Sequence, residues 1–218
     1  MDYVAIRERS VQRLARWKLP DSGVLPLHGD EDFAWMRTAH GVAARCHAIA
    51  AALGLMHGAL PERVRGALRD NDLLGELAGD ELRFLRHREA DLAMDDDERH
   101  RMAVDISWRE ESLWALMWAL ALVDDLPPDE LCSGSPFYER LAPGMDPARG
   151  RTDVSLRPVA EIAAMLDLYY CLHWHARNAQ YHGRAWGTAI APGAVLERRH
   201  ALEWLFQDVP WEDVDLDV

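Results

Sequence analysis

Apolar positions along this chain recur at intervals of three and four, the spacing of one helical face, and no segment alternates strand and helix signals in the manner of a βαβ unit. The densest stretch is SWREESLWALMWALALV at Ser107–Val123, charged only at its start and carrying Trp108, Trp114 and Trp118. A run that is apolar all round and free of turn residues reads as a helix buried on most sides. The same spacing predicts a surface helix over Asp2–Trp17, with Val4, Val11, Leu14 and Ala15 between arginines. It also predicts a long helix capped by Asp30, whose apolar positions Phe33, Met36, Ala43, Ile49 and Leu53 run up to Gly54. Pro61 suits a helix first turn, so Leu60–Arg69 reads as a short helix and Asp80–His87 as another. The acidic block Asp95–Glu98 opens the tryptophan-bearing element, where carboxylates complement the positive end of the helix dipole, and Pro127 and Pro128 stop it.

Beyond those prolines the pattern fades. Cys132–Pro158 is rich in Gly, Pro, Ser and Asp, and only Phe137–Leu141 resembles structure; such a stretch reads as a lid or as a segment pinned over the core by Phe137 and Tyr138. Helices resume at Val159–Tyr181 and Ala194–Phe206. The acidic tail PWEDVDLDV alternates Val214, Leu216 and Val218 with acids, and reads as an extended tail more than an edge strand. The expected fold is all-α: one multi-helix globular domain over 1–218 around a tryptophan-rich central helix. Residues 1–26 form an N-terminal helix and linker, 27–131 a helical part, 132–158 an irregular loop, and 159–218 C-terminal helices and the tail.

Composition narrows the class. A chain of 218 residues is long enough to build a core without disulfides, and three scattered cysteines, Cys46, Cys132 and Cys171, fit reduced thiols in a cytoplasm. Cys46 and Cys171 fall in helical patterns and read as core residues. The N-terminus lacks the features of a secretory signal. The longest apolar run, Leu113–Val123, is far shorter than the roughly 20 residues of a membrane span, so no membrane is expected. A formal net charge of −13 repels a phosphate backbone, which argues against nucleic acid; it suits either simple solvation or attraction to a basic protein.

Three segments occur in a specific order: WREESLWALMWAL at Trp108–Leu120, DLYYCLHW at Asp167–Trp174, and ERRHALEWL at Glu197–Leu205 followed by WEDV at Trp211–Val214. Together they resemble a bacterial family catalogued only as a domain of unknown function, with WR-E-LWALLWAL, DLYY-LHW and ERRHALNWL motifs. The resemblance covers roughly the C-terminal half and, more weakly, the helix near Arg45. The chain departs from the pattern at Glu203, where the family carries Asn. The resemblance implies a helical domain and no known reaction.

Candidate chemistry concentrates in the same helices. Glu197 and His200 form a Glu-x-x-His pair on one helical face, the spacing used by dimetal bundles, but no second such pair exists; Asp97 and His100 give only Asp-x-x-His in a segment that looks exposed. His173 shares a face with Ile162, Leu166, Tyr169 and Ala176 and points to the core, while His175 and His182 need a third ligand to hold a metal. No metal or other cofactor is expected. No serine or cysteine lies in a nucleophile motif, and Gly75 and Gly79 lack the setting of a phosphate loop. Arg109, Glu111, Asp167, His173, Glu197, Arg198 and His200 can instead pair as a buried network among packed helices, or line a pocket walled by Trp108, Trp114, Trp118, Tyr169, Trp174 and Trp204. The leading expectation is a non-catalytic, cytoplasmic interaction or regulatory protein that binds a protein partner or a second copy of itself, an inhibitor or immunity-type binder of a basic partner being one form. The rival is a metal-dependent enzyme or small-molecule binder using Glu197, His200, His173 and Asp167.

Overall fold

Most helices in this chain begin at a side-chain cap or a proline, and several end at a left-handed residue. The computed structural model describes residues 1–20, 22, 24–90, 95–132 and 154–217. Asp2 accepts from the Ala5 N–H at 2.9 Å and opens α1, Tyr3–Leu14, which tightens into a 3-10 turn over Ala15–Trp17. Thr38 accepts from Gly41 N–H at 3.1 Å and opens α2, Ala39–Met56. Pro61 starts α3, Pro61–Asp70, and α4 spans Gly79–Ala90. Asp95 caps α5, Asp96–Ala119; α6 runs over Val159–Tyr181, and α7, Pro192–Trp204, starts on Pro192.

Two of these boundaries correct the sequence expectations. Asp30 opens only a 3-10 turn, Asp30–Phe33, and the long helix starts at Ala39 under Thr38, then continues through Gly54 to Met56. The tryptophan helix stops at Ala119, well before Pro127. Its end is a Schellman motif: Leu122 N–H donates to Met117 O and Ala121 N–H to Trp118 O, both at 2.9 Å. The same pair of bonds closes α2 at Gly58, α3 at Asp72, α6 at Gly183 and the turn after α1 at Lys18. Ala121 holds the left-handed position at φ 55°, where a Cβ is strained. Ala121→Gly is therefore expected to raise stability by about 0.5–1 kcal/mol, the relief exceeding the added chain entropy. A lowered melting temperature would contradict it.

Packing follows from where the apolar faces lie. α5 lies between α2 and α7, α7 also packs on α6, α6 on α1, and α3 and α4 gather on α2. One core runs from Leu14 through Ile49, Leu116 and Tyr169 to Trp211, so the described residues form a single multi-helix domain without strands. α2 has the length and apolarity of a membrane span, but more than half of that helix is buried in this core, with Val42, Cys46, Ile49 and Leu53 inside. Cys171 is buried as well. Residues 154–158 lead into α6 without helix or strand; Phe137–Leu141 lies outside the described residues. The tail makes a 3-10 turn at Trp211–Asp213 and then runs without strand pairing along α7, where Asp215 N–H donates to the Gln207 side chain.

Candidate functional site

Loops between helices leave backbone carbonyls without partners, and this chain satisfies many of them with arginine forks sent from the helices. Arg198, fully buried on α7, is the most complete case. Its Nε and Nη2 donate to Glu111 of α5 at 2.8 and 2.6 Å, its Nη1 to Tyr169 Oη and Pro127 O, and its Nη2 also to Glu130 O. Those five bonds match the five N–H groups of a guanidinium. Glu111 in turn accepts from Cys132 N–H at 2.8 Å, so one ion pair fixes α5, α6, α7 and the 127–132 segment together. Burial pushes the Tyr169 hydroxyl up to about 12, which keeps it neutral; it donates onward to Leu126 O.

Asp167 has a partner outside the helices that motif reading emphasised. Arg7 of α1 grips it from Nε and Nη2 at 2.8–3.2 Å and spends its remaining hydrogens on Leu25 O and Pro26 O. Arg109 bonds Glu197 at 2.9 Å and Asp80 at 2.8 Å, and Ser112 donates to the same Glu197 oxygen. Nearby, Arg45 of α2 forms a bidentate pair with Glu81 of α4 at 2.6 and 2.7 Å, both side chains essentially sealed from solvent. His173 accepts from Arg199 at 2.6 Å; burial first, then Arg199 and Arg177, push its pKa down to about 4. His200 is pushed to about 4 by burial, Arg109 and Arg45, against a hydrogen bond to the Trp211 backbone that favours the charged ring.

The seven polar candidates thus sit in four separate settings, not in one closed network. Arg198 and Glu111 share one; Arg109 and Glu197 share a second, with His200 against the neighbouring Trp211; Asp167 and His173 belong to Arg7 and Arg199. No hydrogen bond or ion pair joins any two of Glu197, His200, His173 and Asp167, and among the described residues no three metal-ligating side chains gather. His175 Nε2 and Ser22 Oγ share a hydrogen bond at 2.9 Å while His182 is exposed at the end of α6. Asp97 and His100 are both exposed.

The aromatic side chains are likewise distributed. Trp114 lies under Arg198, Trp118 under Arg157, and Trp204 between Arg37 and Trp211, with Trp174 edge-on to His175. Trp108 covers Gly193, where a Cβ would come within 2.9 Å of the indole, so only glycine fits that approach. Tyr169 joins the Arg198 setting. Sequence reasoning missed Arg7, Arg45, Arg199, Asp80 and Glu81, because an arginine in an amphipathic helix reads as a surface charge. One signal was available: the chain uses 23 arginines and a single lysine, a bias toward the residue that can fork.

Two clefts border these settings. The first, of about 630 Å³, lies between the start of α4 and the Trp211–Asp213 turn, with Arg109 and His200 in its lining. The second, of about 670 Å³, lies between the 26–32 segment, α6, the end of α7 and the tail. Glu31, Asp32, Glu203, Asp215 and Asp217 line it against one arginine, Arg199, and one histidine, His28. Arg199 donates to Glu203 at 3.1–3.2 Å and to Leu216 O, yet burial still raises the Glu203 pKa. Tyr170, 7 % exposed, lines this cleft with a hydroxyl that forms no hydrogen bond to the described residues, its ring lying between Arg7, Arg199 and His28.

Fold and site together define an all-helical domain knit by buried arginine–carboxylate pairs. The chain belongs to the family described as Domain of unknown function (DUF4272), whose family model matches residues 6–214, far more of the chain than the motif-bearing half. No curated protein and no solved structure matches it.

Proposed function

We propose that this DUF4272 protein is a non-catalytic, cytoplasmic interaction protein that receives a basic segment of a protein partner in its carboxylate-lined cleft. The observation that carries this reading is the charge imbalance there: five carboxylates, exposed at Glu31, Asp32, Asp215 and Asp217 and half-buried at Glu203, line the cleft with one arginine and one histidine, whereas among the described residues the buried Glu81, Glu111 and Asp167 each lie on an arginine. Tyr170 adds beside them a hydroxyl that no described residue bonds, able to accept from an incoming guanidinium or ammonium, while its ring is already taken by Arg7 and Arg199. The rival chemistry has less support, because Glu197, His200, His173 and Asp167 are each engaged by a different partner.

An octa-arginine peptide titrated calorimetrically tests the reading. Neutralising Glu31, Asp32, Asp215 and Asp217 to their amides is expected to weaken binding at least tenfold, about 1.4 kcal/mol or more. A control variant with the same charge removed from exposed Glu62, Asp97, Glu98 and Asp105 is expected to weaken it by about twofold, and wild-type affinity to fall between about 25 and about 300 mM salt. Equal losses in the two variants would mean that only net charge attracts the peptide, and would overturn the proposal.

A further inference from the structure

A third cleft, of about 470 Å³, lies between α4 and the first half of α5, and Arg83 stands between it and the cleft that Arg109 lines. Helical spacing assembles it: positions 83 and 86 share one face of α4, and 98, 101, 102 and 105 share one face of α5. Half-buried Met102 lies among exposed charges, the arginines Arg83, Arg86 and Arg101 and the carboxylates Glu98 and Asp105. Three cations against two anions give this cleft the opposite sign from the chain, whose net charge is −13.

The commitments of neighbouring carboxylates leave these guanidinium groups free. On α4 the carboxylate three positions before Arg83 is Asp80, which Arg109 holds at 2.8 Å; the one three positions after Arg86 is Glu89, which Arg65 of α3 holds in a bidentate pair. No described residue forms a hydrogen bond or ion pair with the side chain of Arg83, Arg86 or Arg101, although Glu98 and Asp105 stand three before and four after Arg101 on its own helix. Arg109 and Arg199, which line the other two clefts, each lie on a carboxylate. All three free arginines are exposed, so a molecule arriving from solvent reaches their N–H groups.

We propose that the cleft between α4 and α5 binds a small organic phosphate monoester. Three guanidinium forks can use more acceptor oxygens than the two of a carboxylate, and a monoester presents three terminal oxygens. Met102 and the arginine stems offer an apolar surface to its organic part, and the volume is that of a small-molecule site. At physiological salt, charges beyond about 8 Å are largely screened, so the acidic remainder of the surface does not cancel the local excess. A nucleic acid would have to lie across that remainder and is repelled by it. The site is independent of the carboxylate-lined cleft and of any basic partner.

Phenyl phosphate, inorganic phosphate and benzoate are the probes, with affinities read by calorimetry. The place of binding is read by NMR from the arginine Nε–H signals, assigned by their loss in Arg83→Gln, Arg86→Gln and Arg101→Gln. Phenyl phosphate is expected to shift all three signals saturably with a Kd below about 1 mM, and the other two probes to bind at least about fivefold more weakly. Combining the three substitutions is expected to weaken phenyl phosphate at least about tenfold, against about twofold for Arg9→Gln with Arg16→Gln and Arg63→Gln, which remove the same charge from exposed positions outside the cleft. No saturable shift at the three signals, benzoate or inorganic phosphate binding as tightly as phenyl phosphate, or equal losses in the two triple variants would overturn the proposal. Should the cleft variant fail to fold, Glu98→Gln with Asp105→Asn decides: binding of phenyl phosphate at least about threefold tighter is the expected result, and unchanged binding overturns the site.

Discussion

Arg198→Met is expected to lower the unfolding free energy by about 3–5 kcal/mol, because it strands Glu111 as an uncompensated buried charge and releases three further acceptors at once. The side chain is fully buried and its donors reach Glu111, Tyr169, Pro127 and Glu130. Arg198→Lys should recover little of the loss: an ammonium has three donors on one atom and cannot span a fork that serves three segments. Removing both charges together, as Arg198→Met with Glu111→Leu, should cost less than removing the arginine alone, since burying an unpaired ion is the costly part. Urea unfolding at neutral pH reads all three. A single-variant loss below about 1 kcal/mol would mean the pair is a bystander.

Acid is expected to unfold this protein well above the range in which ordinary carboxylates protonate. His173 and His200 are both held near 4 in the fold, by burial first and by neighbouring arginines second, whereas in the unfolded chain they titrate near 6.5. Between those values the unfolded state binds more protons than the folded state, so stability falls as pH falls through the window. Each histidine contributes at most about 1.4 kcal/mol per pH unit there, and the two together about 2 or less once the partial exposure of His200 is allowed for. His175, lowered chiefly by burial, acts in the same direction. Glu203 acts oppositely, because its raised pKa lets the fold keep a proton that the unfolded chain has released. Urea midpoints measured from pH 7.5 down to 4.5 should therefore decline steeply below about 6.5, and His173→Gln with His200→Gln should flatten the decline. A profile unchanged in the double variant would show that the imidazoles do not govern it.

The difference between what was legible in the chain and what was not has a physical pattern. Helix positions are legible because apolar spacing is a local signal: Val159–Tyr181 emerges with its structural boundaries, and Pro61 and Asp95 start the helices they are expected to start. Helix ends are less so. The stop of α5 is a left-handed alanine, and alanine is the residue that propensity reads as the best helix former. The start of α2 moves from Asp30 to Thr38 because both residues can cap, and only packing chooses between them.

Partner choice among buried charges is the least legible part. Arg7 and Asp167 are 160 residues apart, and no local pattern distinguishes Arg7 from the exposed Arg9 two positions later. The motif helices drew attention to the residues they contain, so Arg109, Glu111, Glu197 and Arg198 were in view, while Arg7, Arg45 and Glu81, on earlier helices, were not. The tryptophans divide for a related reason. An arginine that reaches across to a loop carbonyl needs an apolar surface to lie along, and an indole face provides it, so Trp114, Trp118, Trp204 and Trp211 each sit under a different guanidinium.

That division of the buried charges into separately neutralised settings is the claim on which the functional reading rests, and double-mutant cycles on stability test it most directly. Arg198 with Glu111, and Arg109 with Glu197, should each couple by more than about 1 kcal/mol, whereas Arg198 with Arg7 should be additive within about 0.5 kcal/mol. Coupling between Arg198 and Arg7 as large as that within the pairs would contradict the division, and would restore a single continuous polar centre of the kind an enzyme site requires.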